Sequence, residues 1–546
     1  MVTITSYSNL AVLIIDDMPV QQTTLRGYLQ LLGISRADVA SSAEDALKLI
    51  RSRKYQLILC DYNLNNRTDG QQLFEYLREQ QLLPHDCLFF MITAEGSYAS
   101  VAATTEHYPD AYLLKPITAA DLDERLRAML DKRDALVPIT TLLSKGNLAG
   151  AVEQCDKLMA SRSRWFMSAL QIKAQALLKL GRHEDAKQVY LAALQQRADL
   201  IWAKLGLARA LKAAGAFEEA RQCAQDILDS RDGQRNVAAF DVLAESLEAM
   251  GDPEGAMWVL KEASMVVPSA RRFRMVGESA YRNGHLDAAK DALVKANKSS
   301  RGSVVAQHHD ALLLSQALVD IGENAEALKV LNEAAPFHKN EPAFAPVALA
   351  IQAQAEAQAG DKERAEATLQ KARALALQGK ADFATVALAK AELVNGHEQA
   401  GFTLLEKAIA SDHENTRMRQ LIGKALRDTG HDDKVEALID SAMAGIESKV
   451  TDARKLLRNN QLDEAVEAIE QAVHDHPENT GVLLQAAQIN CLALRLKRVR
   501  QPDLVERATH YLGRLEKLLP SNDRVTQMQR YFRETLTLLD AGTTPP

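Results

Sequence analysis

Up to about residue 118, short apolar runs alternate with stretches of helical period. The runs are "AVLII" (11–15), "DVA" (38–40), "LILC" (57–60), "CLFFMI" (87–92) and "AYLL" (111–114). Between them lie "PVQQTTLRGYLQLL", "SAEDALKLIRS", "DGQQLFEYLREQ" and "SYASVAATTEHY", and "TAADLDERLRAMLDKR" follows the last run. Runs without polar alternation predict strands covered on both faces, so the helices between them must lie on both sides of a parallel sheet. Five such units predict a small doubly wound α/β domain, assigned to residues 1–133.

Beyond about residue 135 the strand pattern stops and only helical periodicity remains. A glycine recurs roughly every 35 residues, at Gly146, Gly181, Gly215, Gly251, Gly284, Gly322, Gly360, Gly396 and Gly430. Asn460 fills a tenth slot in "NNQLDEA". Both residue types tolerate the left-handed conformation that ends a helix. Five positions on, the residue is Ala151, Ala186, Ala220, Ala256, Ala289, Ala327, Ala365 or Ala465, with Gly401 and Val435 in the other two slots. Large residues such as Tyr190, Leu293 and Ile469 stand nine positions on, and alanines such as Ala193, Ala296 and Ala472 twelve on. These offsets share one helical face, where small residues let two helices approach and a large one fills the gap. The pattern resembles the tetratricopeptide repeat, which implies an all-α solenoid of antiparallel helix pairs. About ten copies are expected over 134–500. A helical cap and short tail are expected over 501–546.

Composition adds exclusions. Net charge is −7, so nucleic acid is not the expected partner. Five scattered cysteines without a CxxC pair give neither a disulfide framework nor a zinc site. They read as core residues in a reducing compartment. The N-terminus lacks a signal-peptide pattern, and no apolar run reaches the ~18 residues of a membrane span. A soluble, cytoplasmic protein without membrane insertion is expected.

Ligands of a doubly wound sheet bind beyond the carboxyl ends of its strands. The first run ends in Asp16-Asp17, the third in Asp61, the fourth in Thr93 and the fifth in Lys115-Pro116. Three carboxylates packed together repel unless a cation joins them, and an all-oxygen set favours a hard ion such as Mg²⁺. With a lysine and a hydroxyl beside them, the set suits transfer of a phosphoryl group onto Asp61. Plainer readings exist. Asp16-Asp17 could cap the helix near Pro19, Thr93 could cap the following helix, and Tyr112 could only pack. "HHD" (His308, His309, Asp310) and "RLKRVR" (495–500) read as solvated helix and helix end.

Residues 9–131 resemble the CheY-like receiver domain of bacterial response regulators through "IIDD", "LILCD", "MITA" and "YLLKP". The resemblance implies that Asp61 accepts phosphate from a phosphohistidine. Asp17, Asp61 and the Asn63 backbone carbonyl would ligate Mg²⁺, and Asp16 would act through metal-bound water. Lys115 and Thr93 would hold the phosphate, Tyr112 would rotate behind Thr93, and Asn63 and Glu95 would tune the acyl phosphate's lifetime. Receivers commonly carry Pro four residues after the phosphoacceptor; here it is Asn65. The chain then reads as a two-component phosphorelay response regulator signalling through protein contacts of its repeats. A sensor histidine kinase or phosphotransfer protein is expected on one side, and an unidentified protein or peptide on the other. It is expected not to be an enzyme beyond self-catalysed transfer and autodephosphorylation. The alternative is a repeat-based scaffold, adaptor or phosphate sink with the receiver as docking domain.

Overall fold

The computed structural model describes residues 7, 10–64, 68–84, 86–94, 109–161, 163–300, 306–375, 382–412, 415–519 and 522–541. The helix expected over 97–108, with Glu95 and Asn65, lies outside the described residues.

Each predicted apolar run forms a strand: β1 (Ala11–Ile15), β2 (Arg36–Ala40), β3 (Leu57–Asp61), β4 (Leu88–Thr93) and β5 (Ala111–Leu114). They form one parallel sheet in the order β2-β1-β3-β4-β5. Successive side chains leave a strand on opposite faces, which splits the strand residues between two cores. Val12, Ile14, Leu57, Leu59, Phe90 and Ile92 pack with Leu25 and Leu29 of α1 (Pro19–Leu31) and with Leu122, Leu126 and Leu130. Leu13, Ile15, Ile58, Cys60, Phe89 and Met91 pack with α2 (Ala43–Ser52) and α3 (Gly70–Glu79) through Ala46, Leu47, Leu73, Phe74 and Leu77. The runs of β1, β3 and β4 lack alternation because both faces are covered.

The last receiver-side helix departs from expectation. Its start is set by a capping box between Thr118 and Asp121. It then runs unbroken as α4, Ala119–Ser144, straight through Pro138. It therefore spans the expected boundary between residues 133 and 134. Proline removes one backbone donor from a helix, but Leu136 and Ile139 on either side of it are buried, and their packing carries the helix across.

The chain divides into two compact units: Met1–Val276 with Val294–Gln307, and Gly277–Leu293 with His308–Pro546. Both contain the predicted helix pairs. All nine turn glycines have positive φ, and Asn460 joins them at 59°. The eight alanines five positions on are fully buried. In the first unit a Cβ on Gly206 would meet the Tyr190 ring at 2.1 Å, so the absent side chain is what admits that ring.

The second unit holds a buried charge network. Lys390 and Lys424 both bond Asp320, at 2.7 and 3.1 Å, and both bond Asp428. The Tyr281 hydroxyl donates to Asp320 at 2.8 Å, and the Lys424 ammonium lies 4.3 Å from the Tyr281 ring centroid. Asp310 is 1% exposed, so "HHD" is not the solvated helix expected. His309 faces Glu278 at 3.5 Å and stacks edge-on against Phe383. Neighbouring helices cover this first turn. The basic "RLKRVR" stretch is paired within the chain: Arg495 with Thr535, Lys497 with Asp463 and Arg500 with Asp540. Among the described residues, no helix is long and apolar enough to cross a membrane. All five cysteines are free, four of them buried.

Candidate functional site

β1 pairs with both β2 and β3, so the crossover direction reverses beside it. That reversal opens a crevice at the carboxyl ends of the strands. Asp16 and Asp17 stand on one side of the crevice and Asp61 on the other. The ladder continues one residue beyond β1, through Asp16 N–H donating to the Ala40 carbonyl at 3.2 Å. This fixes the Asp16 backbone. Its carboxylate turns inward and is 1% exposed. One oxygen accepts the Met18 N–H at 2.8 Å. The other is buried, has no hydrogen bond among the described residues, and lies 3.9 Å from the Lys115 ammonium.

Asp61 is the last residue of β3 and is 5% exposed. Lys115 donates to its carboxylate at 2.9 Å. The lysine reaches it from the end of β5, where the Lys115 N–H donates to the Thr93 carbonyl at 2.7 Å. Thr93 is buried at the end of β4. Tyr112 is half-buried on β5, opposite Met91 in register, and packs on the α2/α3 side. Asn63 is exposed two residues past Asp61.

One oxygen from each of Asp16, Asp17 and Asp61 lies within 4.8 Å of the other two. Burial pushes the Asp16 carboxyl above its ordinary range; the Met18 N–H opposes this, the Asp61 charge adds to it, Lys115 opposes it and Asp17 adds to it. Three carboxylates against one ammonium leave a local excess of negative charge. A buried carboxylate oxygen without a donor is costly unless something positive meets it. Both features fit a hard divalent cation.

Neither Asp16 nor Asp17 is the helix cap. Met18 occupies the N-cap of α1, with no side-chain cap bond, and Pro19 takes the first helical position. Sequence reasoning also missed two supporting residues. Gln22 donates to the Asp16 carbonyl at 2.6 Å from the first turns of α1. Gly70, which opens α3, lies where a Cβ would stand 2.2 Å from the Asp61 carbonyl oxygen. The "DG" before "QQLFEYL" marked a helix start, fulfilled as a capping box between Asp69 and Gln72. It did not announce the close approach to Asp61.

Residues 12–127 match the response regulator receiver domain family, and residues 177–240 match the tetratricopeptide repeat family. The chain carries a receiver domain followed by tetratricopeptide repeats. The receiver is 26% identical over 124 residues to chemotaxis protein CheY-3 of Vibrio cholerae, covering 23% of this chain and 94% of that protein. It is 32% identical over 120 residues to the transcriptional regulatory protein AfsQ1 of Streptomyces coelicolor, covering 22% of this chain and 51% of that one. Among solved structures, a tetratricopeptide repeat protein from Parabacteroides merdae aligns at 14% identity with a TM-score of 0.31, covering 51% of this chain and 98% of that one. MamA RS-1, as an ArsTM double mutant, aligns at 15% identity with a TM-score of 0.27, covering 31% and 94%.

Proposed function

We propose that this protein is a phosphorelay response regulator that accepts a phosphoryl group on Asp61 and signals through its repeats. The observation that carries the reading is the Asp61 carboxylate held by Lys115 at 2.9 Å within the three-carboxylate cluster. In the proposed reaction an Asp61 oxygen attacks the phosphorus of a phosphohistidine. The P–N bond breaks, and the imidazole nitrogen leaves with the electron pair and takes a proton from solvent. The Lys115 ammonium and the Thr93 hydroxyl would then hold phosphoryl oxygens, the charge-directed stabilisation that phosphoryl transfer needs. Asp16, Asp17, Asp61 and the Asn63 carbonyl would hold a Mg²⁺, which when bound supplies charge neutralisation. Tyr112 would turn behind Thr93 once the hydroxyl moves, and Asn63 and Glu95 would govern water access and so phosphoryl lifetime.

In this reading the receiver extends through about residue 133. The repeats over 134–500 dock a protein or peptide, and the helices over 501–546 cap the array. The phosphodonor is a sensor histidine kinase or phosphotransfer protein, and the setting is cytoplasmic. Incubation with Mg²⁺ and acetyl phosphate followed by intact-mass measurement tests the central step. A phosphate-sized gain lost in Asp61→Asn supports it. No gain, or one that survives the substitution, refutes it.

A further inference from the structure

The helix α4 belongs to two hydrophobic cores at once. Leu122, Leu126 and Leu130 are buried in the sheet's α1-side core. Leu136 and Ile139 are buried with Ala151, Cys155 and Ala169 of the first repeat helices, and Leu143 packs against them. At 3.6 residues per turn the two rows face directions about 100° apart. One helix therefore lies on the receiver with one side and on the first repeat with another. Between the rows, none of residues 131–135 is buried. Asp131 there takes the Arg164 guanidinium at 2.8 Å. That guanidinium also covers the Trp165 ring at 4.9 Å, at the entry to the helix Phe166–Lys179. At the N-terminal end, the Tyr7 hydroxyl donates to Asp123 at 2.8 Å.

A flexible linker would let the receiver change state without moving the repeats. Here no loop exists to absorb the movement, because the backbone that packs on β5 is the backbone that opens the first repeat. We propose that α4 is the transmission element: a displacement of α4 against the sheet is delivered, with its rotational phase intact, to the helix pair Leu148–Ala160 and Phe166–Lys179. The proposal rests on the phosphoacceptor reading only for what triggers the displacement.

Helical phase gives the test. Two alanines inserted after Asp134 in the full chain turn the repeat-side row by about 200°; seven turn it by about 700°, within about 20° of the native phase. Hydrogen exchange is measured with and without beryllofluoride and Mg²⁺. In the native chain and the seven-alanine variant, exchange should change both around Asp61 and in residues 148–179. In the two-alanine variant the change should be lost from 148–179 and kept around Asp61. A response confined to the receiver in the native chain, or one persisting in 148–179 of the two-alanine variant, overturns the proposal. No response around Asp61 in any chain refutes the phosphoacceptor reading instead, and the helix is then judged by core variants alone. Leu126→Ala should speed exchange at 148–160, and Ile139→Ala at β5, each by about tenfold or more. Unchanged exchange in both removes the proposal.

Discussion

Replacing Gly70 by alanine should disable Asp61 without touching any group that does chemistry. The added Cβ would stand 2.2 Å from the Asp61 carbonyl oxygen and 3.1 Å from its carbonyl carbon and the Cys60 sulfur. Real Cβ atoms keep at least 3.0 Å from such neighbours, so the contact must open by about 1 Å. The helix side is held by Gly70 N–H donating to Tyr62 at 2.8 Å and by the Asp69 capping box. The strand side is held by Tyr62 N–H donating to Ile92 at 2.8 Å. The shift therefore falls on the Asp61 peptide and swings its carboxylate off Lys115. Overpacking of this kind costs about 1–3 kcal/mol. A misplacement of about 1 Å at a reacting atom costs about 10²-fold in rate. Initial phosphorylation rates with acetyl phosphate, read by intact mass, measure the second effect; urea unfolding measures the first. Gly27→Ala is the control, because nothing lies within 4 Å of its added Cβ and mid-helix alanine should stabilise by about 0.5–1 kcal/mol. A Gly70→Ala rate within about threefold of the parent, beside an unchanged Gly27→Ala rate, refutes the reasoning.

Mg²⁺ at about a hundredfold above its Kd should add about 2.7 kcal/mol to receiver stability, and Asp17→Asn should erase the gain; an equal melting shift in both chains counts against the metal set. Burial pushes the Asp320 carboxyl up, but Lys390 and Lys424 outweigh it and hold the group below its ordinary range. Lys424→Met leaves two carboxylates with one buried ammonium and should cost about 3–5 kcal/mol in urea unfolding; a loss under about 1 kcal/mol contradicts this. Burial, then the hydrogen bond to Asp38, raise the Tyr55 phenol from 10.0 to about 12. Because the folded value is the higher one, its contribution is complete below pH 10.0 and is lost as pH climbs toward about 12. Tyr55→Phe should flatten that decline, and an unaltered pH profile would speak against it.

The fold was legible wherever a local rule decided it. β1 falls on its quoted apolar run because a strand buried on both faces leaves no other pattern. Asn460 was placed by repeat phase alone, and its φ of 59° follows from the turn it fills. Asp16, Asp17, Asp61 and Lys115 follow the apolar runs directly in sequence, and parallel strands all end on one edge. What stayed hidden depends on contacts between distant residues. The Gly70 approach to Asp61 needs the length of the intervening loop. The continuity of α4 needs Leu136 and Ile139 to find their core, since Pro138 read locally is a break. The burial of Asp310 needs the neighbouring helices. Asp320, Lys390, Lys424 and Asp428 look like ordinary surface charges until the helices carrying them are packed.

That charge network alters how the second unit comes apart. In an ordinary repeat array each repeat touches only its neighbours, so melting proceeds inward from the ends, one repeat at a time. Asp320 and Lys424 are 104 residues apart in sequence, and the helices Phe344–Gln358 and Phe383–Val394 intervene. Their contact closes a loop over those helices, and Lys390 is tied into it from within. None of the helices that carry Asp320, Lys390 and Lys424 can fray alone without stranding a buried charge. Residues 308–428 should therefore unfold as one cooperative block. The ring also fixes the number of repeats it encloses: a repeat duplicated or deleted between Asp320 and Lys424 would pull the carboxylate and the ammonium out of register, so this stretch of the array can change in sequence but not in length.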